Sequence, residues 1–275
     1  MTGLDLPAWS EPFTDTAGLA RSMRLAGISR EWAWGGSTGA GVRVGIIDSG
    51  LEAAHPRLNG RVTQSVAVEM VEGEPQIVSD EAVDLYGHAT ACGGIILGLA
   101  PDVELVSIRV LGGDLRGKGT AFAAGLEWAI DNGVGVLNLS LSSKSEALFP
   151  VFHDLADRAY FRGVALVCAA NNVPAASYPS LFSSVFSVAA HGEPDPWRIY
   201  YNPAPPVEFG AWGVDVPIAW KDGGSTVATG NSFAAPHVAA MVALILAKHP
   251  GLTPFEVKAV LAAIADNPIR AEEDR

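Results

Sequence analysis

The chain has 275 residues, 49% of them hydrophobic, and carries a formal net charge of −12 at pH 7. That size and composition allow one large buried core, while the negative charge and the lack of any Lys/Arg run argue against nucleic acid as a partner. The chain begins without a basic segment followed by an apolar one and contains no apolar run of about 18 residues, so we expect no secretion signal, no membrane span and a cytoplasmic protein.

Short β-branched runs alternate with longer alanine-rich segments from residue 41 onward. The predicted strands cover residues 42–48, 103–111, 134–142, 164–170, 185–190 and 214–219. The predicted helices cover residues 88–97, 120–132, 150–162, 232–248 and 254–265. Nearly continuous apolar strands interleaved with helices are typical of an α/β fold with a mostly parallel sheet and helices on both faces.

The last predicted helix carries its own start signal. Thr253 can cap it, Pro254 takes the first helical position and Glu256 follows three residues after the cap, which is the pattern of a capping box. No internal repeat or low-complexity linker divides the chain, so we predict one domain over residues 31–275, preceded by an N-terminal extension over residues 1–30. Because open α/β sheets bind ligands at the carboxyl ends of their strands, the residues that end strands are candidates for function.

Two acid–base residues stand near such positions. Asp48 ends the first strand, where burial is costly unless the carboxylate is paired, and Ser49-Gly50 permits a sharp exit toward a cleft. His88 opens a helix of small residues, where the helix dipole disfavours an imidazolium and so favours the neutral ring that a general base requires. Taken alone, each residue also fits a turn or helix cap.

Ser232 begins the long alanine-rich helix. Its hydroxyl is either a nucleophile, with its own amide at the helix start available to an oxyanion, or a simple cap. Pro236 is compatible with this helix if it falls in about the first turn, where amides lack helical partners. His237 points about 140° away from Ser232 on the same helix, so the partner of Ser232 must come from another segment, and His88 is the best placed.

The strand over residues 164–170 ends in two carboxamides, Asn171 and Asn172, at the rim of the expected cleft. Buried amides need partners, so this pair indicates a polar site or a turn. The two cysteines, Cys92 and Cys168, lie in apolar surroundings and are predicted to be buried thiols without a disulfide framework.

Together these segments resemble the subtilase family, the subtilisin-like serine peptidases. The segments stand in family order over nearly the whole predicted domain, and they read "VGIIDSGLEAAHP", "GHATACGGIILGLAPDVELVSIRVL", "GLEWAIDNGVGVLNLSLS", "CAANN", "SYPS" and "GNSFAAPHVAAMVALIL". The order Asp, His, Ser is that of subtilisin. The resemblance implies a single-domain, subtilisin-like α/β fold.

The resemblance also implies roles for individual residues. Ser232 would be the nucleophile, His88 the general base and then acid, and Asp48 the carboxylate that holds the imidazole tautomer and stabilises its charged form. Asn172 would donate its side-chain amide to the oxyanion, together with the backbone amide of Ser232. Asn231 replaces the threonine usual before the serine, and it either donates a second amide to the oxyanion hole or crowds it.

Substrate is bound in this family as an added β-strand between two segments. The substrate-binding residues that the resemblance implies are Leu115, Arg116, Gly117, Ser140, Leu141, Ser142, Asn171 and Ser177. Asn171 and Ser177 replace glycines of the family, and their side chains would narrow the pocket for the residue before the scissile bond. We therefore expect a restricted cleavage preference.

The expected function is that of an intracellular serine endopeptidase of limited specificity, which processes a protein or peptide. We expect no cofactor and no metal site, because the loop that holds calcium in many secreted members is missing here. A peptide macrocyclase or transpeptidase of the same family and a non-catalytic peptide-binding homologue are the alternatives. The N-terminal extension resembles the segment that covers the cleft of intracellular subtilisins until it is removed. Cys92 matches a free thiol of the proteinase K branch, for which we expect a packing role.

Overall fold

A computed structural model describes residues 27–204 and 206–267. The helices are α1 (Arg30–Trp34), α2 (His88–Leu99), α3 (Gly119–Asp131), α4 (Phe149–Phe161), α5 (Asn231–Lys248) and α6 (Pro254–Ala263). The strands are β1 (Arg43–Asp48), β2 (Val62–Val71), β3 (Glu74–Ser79), β4 (Glu104–Arg109), β5 (Val136–Leu139), β6 (Ala165–Ala169), β7 (Phe186–His191), β8 (Ile199–Tyr201), β9 (Phe209–Trp212), β10 (Val216–Trp220) and β11 (Gly224–Ala228). Most of the N-terminal extension, including the part expected to cover a cleft, lies outside the described residues.

Within the described residues, nine strands form one sheet in the order β3-β2-β4-β1-β5-β6-β7-β9-β8. The strands from β2 to β9 in that order pair in parallel, and the antiparallel pairs β2 with β3 and β8 with β9 lie at the two edges. The central strands are apolar because helices cover both faces, and β6 is buried at every position. The predicted α/β fold with a mostly parallel sheet is confirmed.

One predicted strand has a different place. β10, which corresponds to residues 214–219 of the prediction, is outside the large sheet and pairs with β11 as an antiparallel hairpin. Five strands, β2, β3, β8, β9 and β11, escape prediction because none of them is a long, fully buried apolar run. β3 is largely exposed and β8 has three residues, so neither carries the apolar run that marks a buried strand.

The central helix is α5, which packs against the sheet. Its residues from Phe233 to Ile245 are buried without a break, and its alanines allow the sheet and α2 to approach closely. Among the described residues, α5 is the helix long and apolar enough to cross a membrane, but 72% of that window is buried inside the protein. Its hydrophobic surface therefore belongs to the core.

The connections bring strand ends and helix starts to one edge of the sheet. β1 ends at Asp48, β5 at Leu139 and β6 at Ala169, while α2 begins at His88 and α5 at Asn231. Carboxyl ends of parallel strands form the ligand-binding edge of such sheets. The fold thus brings the candidate residues from distant parts of the chain to the same region.

The capping box predicted at α6 is confirmed. Thr253 Oγ1 accepts the Glu256 backbone N–H at 3.3 Å, and Glu256 Oε2 accepts the Thr253 backbone N–H at 2.8 Å. Replacing Thr253 with alanine should lower the free energy of unfolding by about 1 kcal/mol. For a domain of this size, the melting temperature should fall by about 2–4 °C.

Thr120→Ala is the matched control for this change. Thr120 is exposed in the first turn of α3, whose start has no side-chain capping bond. Chemical denaturation should show a change within about 0.5 kcal/mol for this variant. Equal losses in Thr253→Ala and Thr120→Ala would contradict the capping contribution.

Candidate active site

Asp48 is fully buried at the end of β1, and both of its carboxylate oxygens have partners. Oδ1 accepts the backbone N–H of Ser49 at 2.7 Å, and Oδ2 lies 2.7 Å from Nδ1 of His88. The carboxylate therefore holds the ring proton on Nδ1 and leaves Nε2 of His88 as a proton acceptor. His88 is 9% exposed, so its ring is oriented by protein contacts.

The surroundings of His88 shift its pKa. Burial lowers this pKa, whereas the charge of Asp48, the hydrogen bond that Asp48 accepts from the ring and the charge of Asp84 raise it, and the net result is a pKa above the ordinary 6.5. The helix start alone was expected to favour the neutral ring. The carboxylates of Asp48 and Asp84 outweigh the effect of burial, so the neutral base is present only on the alkaline side of a raised pKa.

Asp84 is a functional candidate that sequence reasoning missed. Its Oδ1 accepts the Ser49 hydroxyl at 2.8 Å and the backbone N–H groups of Tyr86 at 2.9 Å and Gly87 at 2.6 Å, and its Oδ2 accepts the Thr90 backbone N–H at 2.9 Å. These bonds satisfy free amides where α2 begins. An aspartate a few residues before a helix-opening histidine is the sequence signal that could have found it.

Ser232 lies in the first turn of α5 and faces the same cleft as His88. Its hydroxyl donates to the backbone carbonyl of Ser140 at 3.2 Å. Between these described residues, the structure has no hydrogen bond from Ser232 Oγ to His88 Nε2. Transfer of the hydroxyl proton to His88 therefore requires rotation of the serine side chain, a motion of picoseconds to nanoseconds.

Pro236 is the sixth residue of α5, beyond the first turn where we expected it. Because proline has no backbone N–H, the carbonyl of Ser232, four residues earlier, loses its helical partner. The Ser140 hydroxyl donates to this carbonyl at 2.8 Å and the Cys92 thiol approaches it at 3.6 Å, while Asn138 Nδ2 donates to Ser140 Oγ at 3.0 Å. Ser140 thus contacts the candidate nucleophile through both its side chain and its carbonyl.

The remaining buried titratable groups near α5 are neutral. His237 Nδ1 donates to the Phe233 carbonyl at 2.9 Å, and burial lowers the pKa of His237 to about 4. Burial also raises the pKa of the Cys92 thiol well above its ordinary value. His237 is therefore not the partner of Ser232, and the protonated Cys92 lies close to Asp48 and His88.

Asn172 is exposed at the cleft. Its side-chain Oδ1 accepts the backbone N–H of Asn231 at 2.9 Å. This bond fixes the orientation of the carboxamide and leaves Nδ2 as the available donor, with no partner among the described residues. The arrangement suits a group that donates to an oxyanion.

The side chain of Asn231 is directed elsewhere. Its Nδ2 donates to the carbonyls of Ala170 at 3.0 Å and Asn171 at 3.2 Å, and its Oδ1 accepts the backbone N–H of Ala190 at 2.8 Å. Both amide hydrogens are used, so the expectation that Asn231 donates a second amide to the oxyanion hole is wrong. The residue instead joins the start of α5 to β7 and to the exit of β6.

A cleft of about 750 Å³ contains His88, Asn172 and Ser232 in its lining. Four of the expected substrate-binding residues also line it, namely Leu115, Ser140, Leu141 and Ser142. The other four do not line it within the described structure, and these are Arg116, Gly117, Asn171 and Ser177.

Local hydrogen bonds explain why Asn171 and Ser177 do not line the cleft. The Oδ1 atom of Asn171 accepts the Val173 backbone N–H at 3.0 Å, which folds its side chain into a turn. Ser177 is 1% exposed, and its hydroxyl lies 3.1 Å from the Ser180 hydroxyl. Neither side chain narrows the cleft, so that reason for a restricted preference does not hold.

The hairpin β10–β11 supplies a wall that sequence reasoning also missed. Trp220, Val227 and Ala228 line the cleft, and Trp220 packs edge-to-face on Tyr86 with ring centroids 5.5 Å apart. A Cβ on Gly87 would lie 2.9 Å from the Trp220 ring, so only glycine fits beneath it. No residue type in the hairpin sequence marks it as part of a site.

Asp48, His88 and Cys92 form a group whose potential metal-ligand atoms lie within 4.8 Å of one another. A metal there would take Nδ1 of His88 from Asp48 and would need the thiolate of Cys92, whose pKa is raised. The donor set therefore fits a hydrogen-bonded base better than a metal site.

Comparison with known proteins agrees with this geometry. The model of the subtilase family matches residues 39–274. Subtilisin DY of Bacillus licheniformis is 33% identical over 249 aligned positions, and the match covers 84% of this chain and 86% of that protein. Subtilisin BL of Lederbergia lenta is 35% identical over 236 aligned positions, and the match covers 81% of this chain and 82% of that protein.

A solved structure gives the same result. The crystal structure of a cold-adapted subtilisin-like serine proteinase matches with a TM-score of 0.69 at 28% sequence identity, covering 84% of this chain and 86% of that chain. Sequence motifs, fold and relatives thus agree over most of the chain. The chain belongs to the subtilase family and is a subtilisin-like serine endopeptidase.

Proposed function

We propose that this subtilase hydrolyses peptide bonds with Ser232 as nucleophile, His88 as base and then acid, and Asp48 as the carboxylate that orients His88. The 2.7 Å contact between Asp48 Oδ2 and His88 Nδ1 carries this proposal. It leaves His88 Nε2 as a proton acceptor in the cleft that Ser232 also lines. A buried carboxylate that orients a histidine, with a serine at a helix start in the same cleft, has the parts that acyl transfer requires.

The reaction would proceed in two halves. Ser232 Oγ leaves the Ser140 carbonyl, gives its proton to His88 Nε2 and attacks the scissile carbonyl carbon. Asn172 Nδ2 and the Ser232 backbone N–H donate to the resulting oxyanion. His88 then protonates the departing amine as the C–N bond breaks. In the second half, His88 takes a proton from a water, which attacks the acyl carbon, and His88 returns this proton to Ser232 Oγ as the C–Oγ bond breaks.

The substrate is a protein or peptide, and a stretch of backbone beyond the end of β5 supports its binding as an added strand. The Ser143 backbone pairs with Tyr178 through two hydrogen bonds of 2.9 and 2.8 Å, so the open stretch ends at Ser142. Residues Ser140 to Ser142 are left along the cleft beside Ser232. Main-chain pairing there would hold a substrate whose side chains enter the cleft.

Limited specificity is part of the proposal, and the hairpin wall supports it. Trp220 and Tyr86 form an edge-to-face aromatic pair on one side, while Leu115 and Leu141 add apolar surface to the lining. A peptide library should show cleavage concentrated on few side-chain classes, because fixed apolar walls discriminate by size and polarity. Equal cleavage after large aromatic and small residues would contradict this expectation.

The cytoplasm is the proposed location. Cys92 and Cys168 are both free and buried, which fits a chain that does not depend on disulfides. Fractionation of cells that produce the protein from its own gene tests the point, and accumulation of active enzyme outside the cell would contradict it.

Ser232→Ala should abolish labelling by a serine-reactive peptidyl phosphonate, because the probe needs an activated hydroxyl. Ser145→Ala, which removes an exposed serine outside the cleft, should label like the wild type. The summed mass of the products should exceed the mass of the substrate by one water for each cleaved bond. An unlabelled wild type would indicate a non-catalytic homologue, and products without added water would indicate a cyclase.

The pH dependence of kcat/KM should show an acid limb above pH 6.5, because the pKa of His88 is raised and the base must be neutral. Asp48→Asn removes the charge that raises this pKa, so the limb should move to lower pH. Its kcat should fall by about 10⁴-fold, because the amide does not hold the tautomer. Asp84→Asn should move the limb in the same direction with a smaller loss in rate. A limb at the same pH in all three proteins would contradict the assignment of His88.

A further inference from the structure

We propose that Asn231 is a positioning residue that sets the oxyanion hole. This inference rests on the proposed roles of Asn172 and Ser232, the two oxyanion donors. Asn231 itself donates nothing to the substrate, since both of its amide hydrogens are bonded within the protein. Its effect on the reaction would pass through the placement of Asn172 relative to Ser232.

The contacts of Asn231 connect three elements at one point. Its side chain binds the carbonyls of Ala170 and Asn171, which precede Asn172 at the exit of β6. It also accepts the backbone N–H of Ala190 in β7, at 2.8 Å. Its own backbone N–H donates to Oδ1 of Asn172 at 2.9 Å. Asn231 therefore holds both the backbone before Asn172 and the side chain of Asn172.

The chemistry of these partners selects a carboxamide. Two carbonyl oxygens face Nδ2 and one N–H faces Oδ1, so one side chain must offer two donors and an acceptor in a single plane. Aspartate would place an oxygen against the carbonyls of Ala170 and Asn171. Alanine would leave those carbonyls and the Ala190 amide without their partner.

The surrounding backbone is closely packed, so a displacement here is not easily absorbed. Gly230 N–H donates to the Gly213 carbonyl at 2.8 Å. A Cβ on Gly213 would lie 2.6 Å from the Ala190 Cβ and 2.8 Å from the Gly230 carbonyl oxygen. Loss of the Asn231 contacts would therefore be transmitted to the neighbouring Asn172 turn.

The first measurement determines kcat and KM separately for variants of Asn231. Asn231→Ala should lower kcat by at least about tenfold and change KM by less than about twofold, because oxyanion donors act in the transition state and small misplacements there are costly. Asn231→Asp should behave similarly. If Asn231→Ala does not fold, Asn231→Ser carries the same expectation, since a serine hydroxyl has one donor and cannot bind both carbonyls.

A double-mutant cycle tests the route of the effect. Asn172→Ala should lower kcat by about 10²–10³-fold, a size that was itself measured in a member of this family. If Asn231 acts through Asn172, the double variant should resemble Asn172→Ala alone. Independent effects would multiply, and that result would overturn the inference.

Asn202→Ala is the matched control. Asn202 Nδ2 donates to the carbonyls of Ala204 and Val207, both at 2.8 Å, and its Oδ1 accepts the Ala204 backbone N–H at 3.0 Å. It has the same three types of bond as Asn231, but in the connection between β8 and β9. Because the bonds of Asn202 are exposed and those of Asn231 are partly buried, thermal unfolding should show a smaller loss for Asn202→Ala. The kcat should fall only in Asn231→Ala.

The outcomes separate the inference from the proposed function. If Asn231→Ala and Asn202→Ala both leave kcat unchanged while Asn172→Ala lowers it, the positioning role is wrong and the oxyanion assignment stands. If Asn172→Ala has the kcat of the wild type, the assignment of Asn172 fails, and the inference about Asn231 fails with it.

Discussion

The fully buried carboxylate of Asp48 is the constraint on which the geometry of the site depends. An unpaired charge at 0% exposure would be prohibitively costly, so the fold must supply partners. The partners are the backbone N–H of Ser49 and the ring of His88. The bond to His88 fixes the first turn of α2 over the end of β1. Asp84 reinforces this junction, because Ser49 donates to it while accepting the Ala89 backbone N–H at 3.3 Å. One buried charge thus determines how a strand end and a helix start meet.

A missing helical hydrogen bond determines how the start of α5 meets the ends of β5 and β6. Pro236 deprives the carbonyl of Ser232 of its helical partner, and the Ser140 hydroxyl from the exit of β5 takes its place. On the other side, Asn231 binds the exit of β6 and the strand β7. The start of α5 is therefore held from both sides by polar contacts. Donors that are fixed before substrate arrives are what stabilisation of an oxyanion requires.

The sequence predicts the parts of this structure that leave a residue-type signature. Buried parallel strands appear as apolar runs, helices appear by length and caps, and Asp48, His88 and Ser232 stand at their ends. β10 carries an apolar run too, so its place in a hairpin was missed. The role of Asn231 was also mistaken, because its side-chain partners are backbone groups 41, 60 and 61 residues away. Backbone groups are the same at every residue, so no sequence pattern identifies them.

The strengths of the contacts match the movements that the proposed chemistry needs. The 2.7 Å bond between Asp48 and His88 involves a charge and is of the strong class, so the base keeps its orientation. The 3.2 Å bond from the Ser232 hydroxyl to the Ser140 carbonyl joins neutral groups and is long for an O–H donor. The hydroxyl is the group that must turn to give up its proton, and it is the more weakly held. The helix backbone beneath it has the shorter 2.8 Å bond from Ser140 Oγ, so Ser232 Oγ can rotate while its backbone amide stays in place.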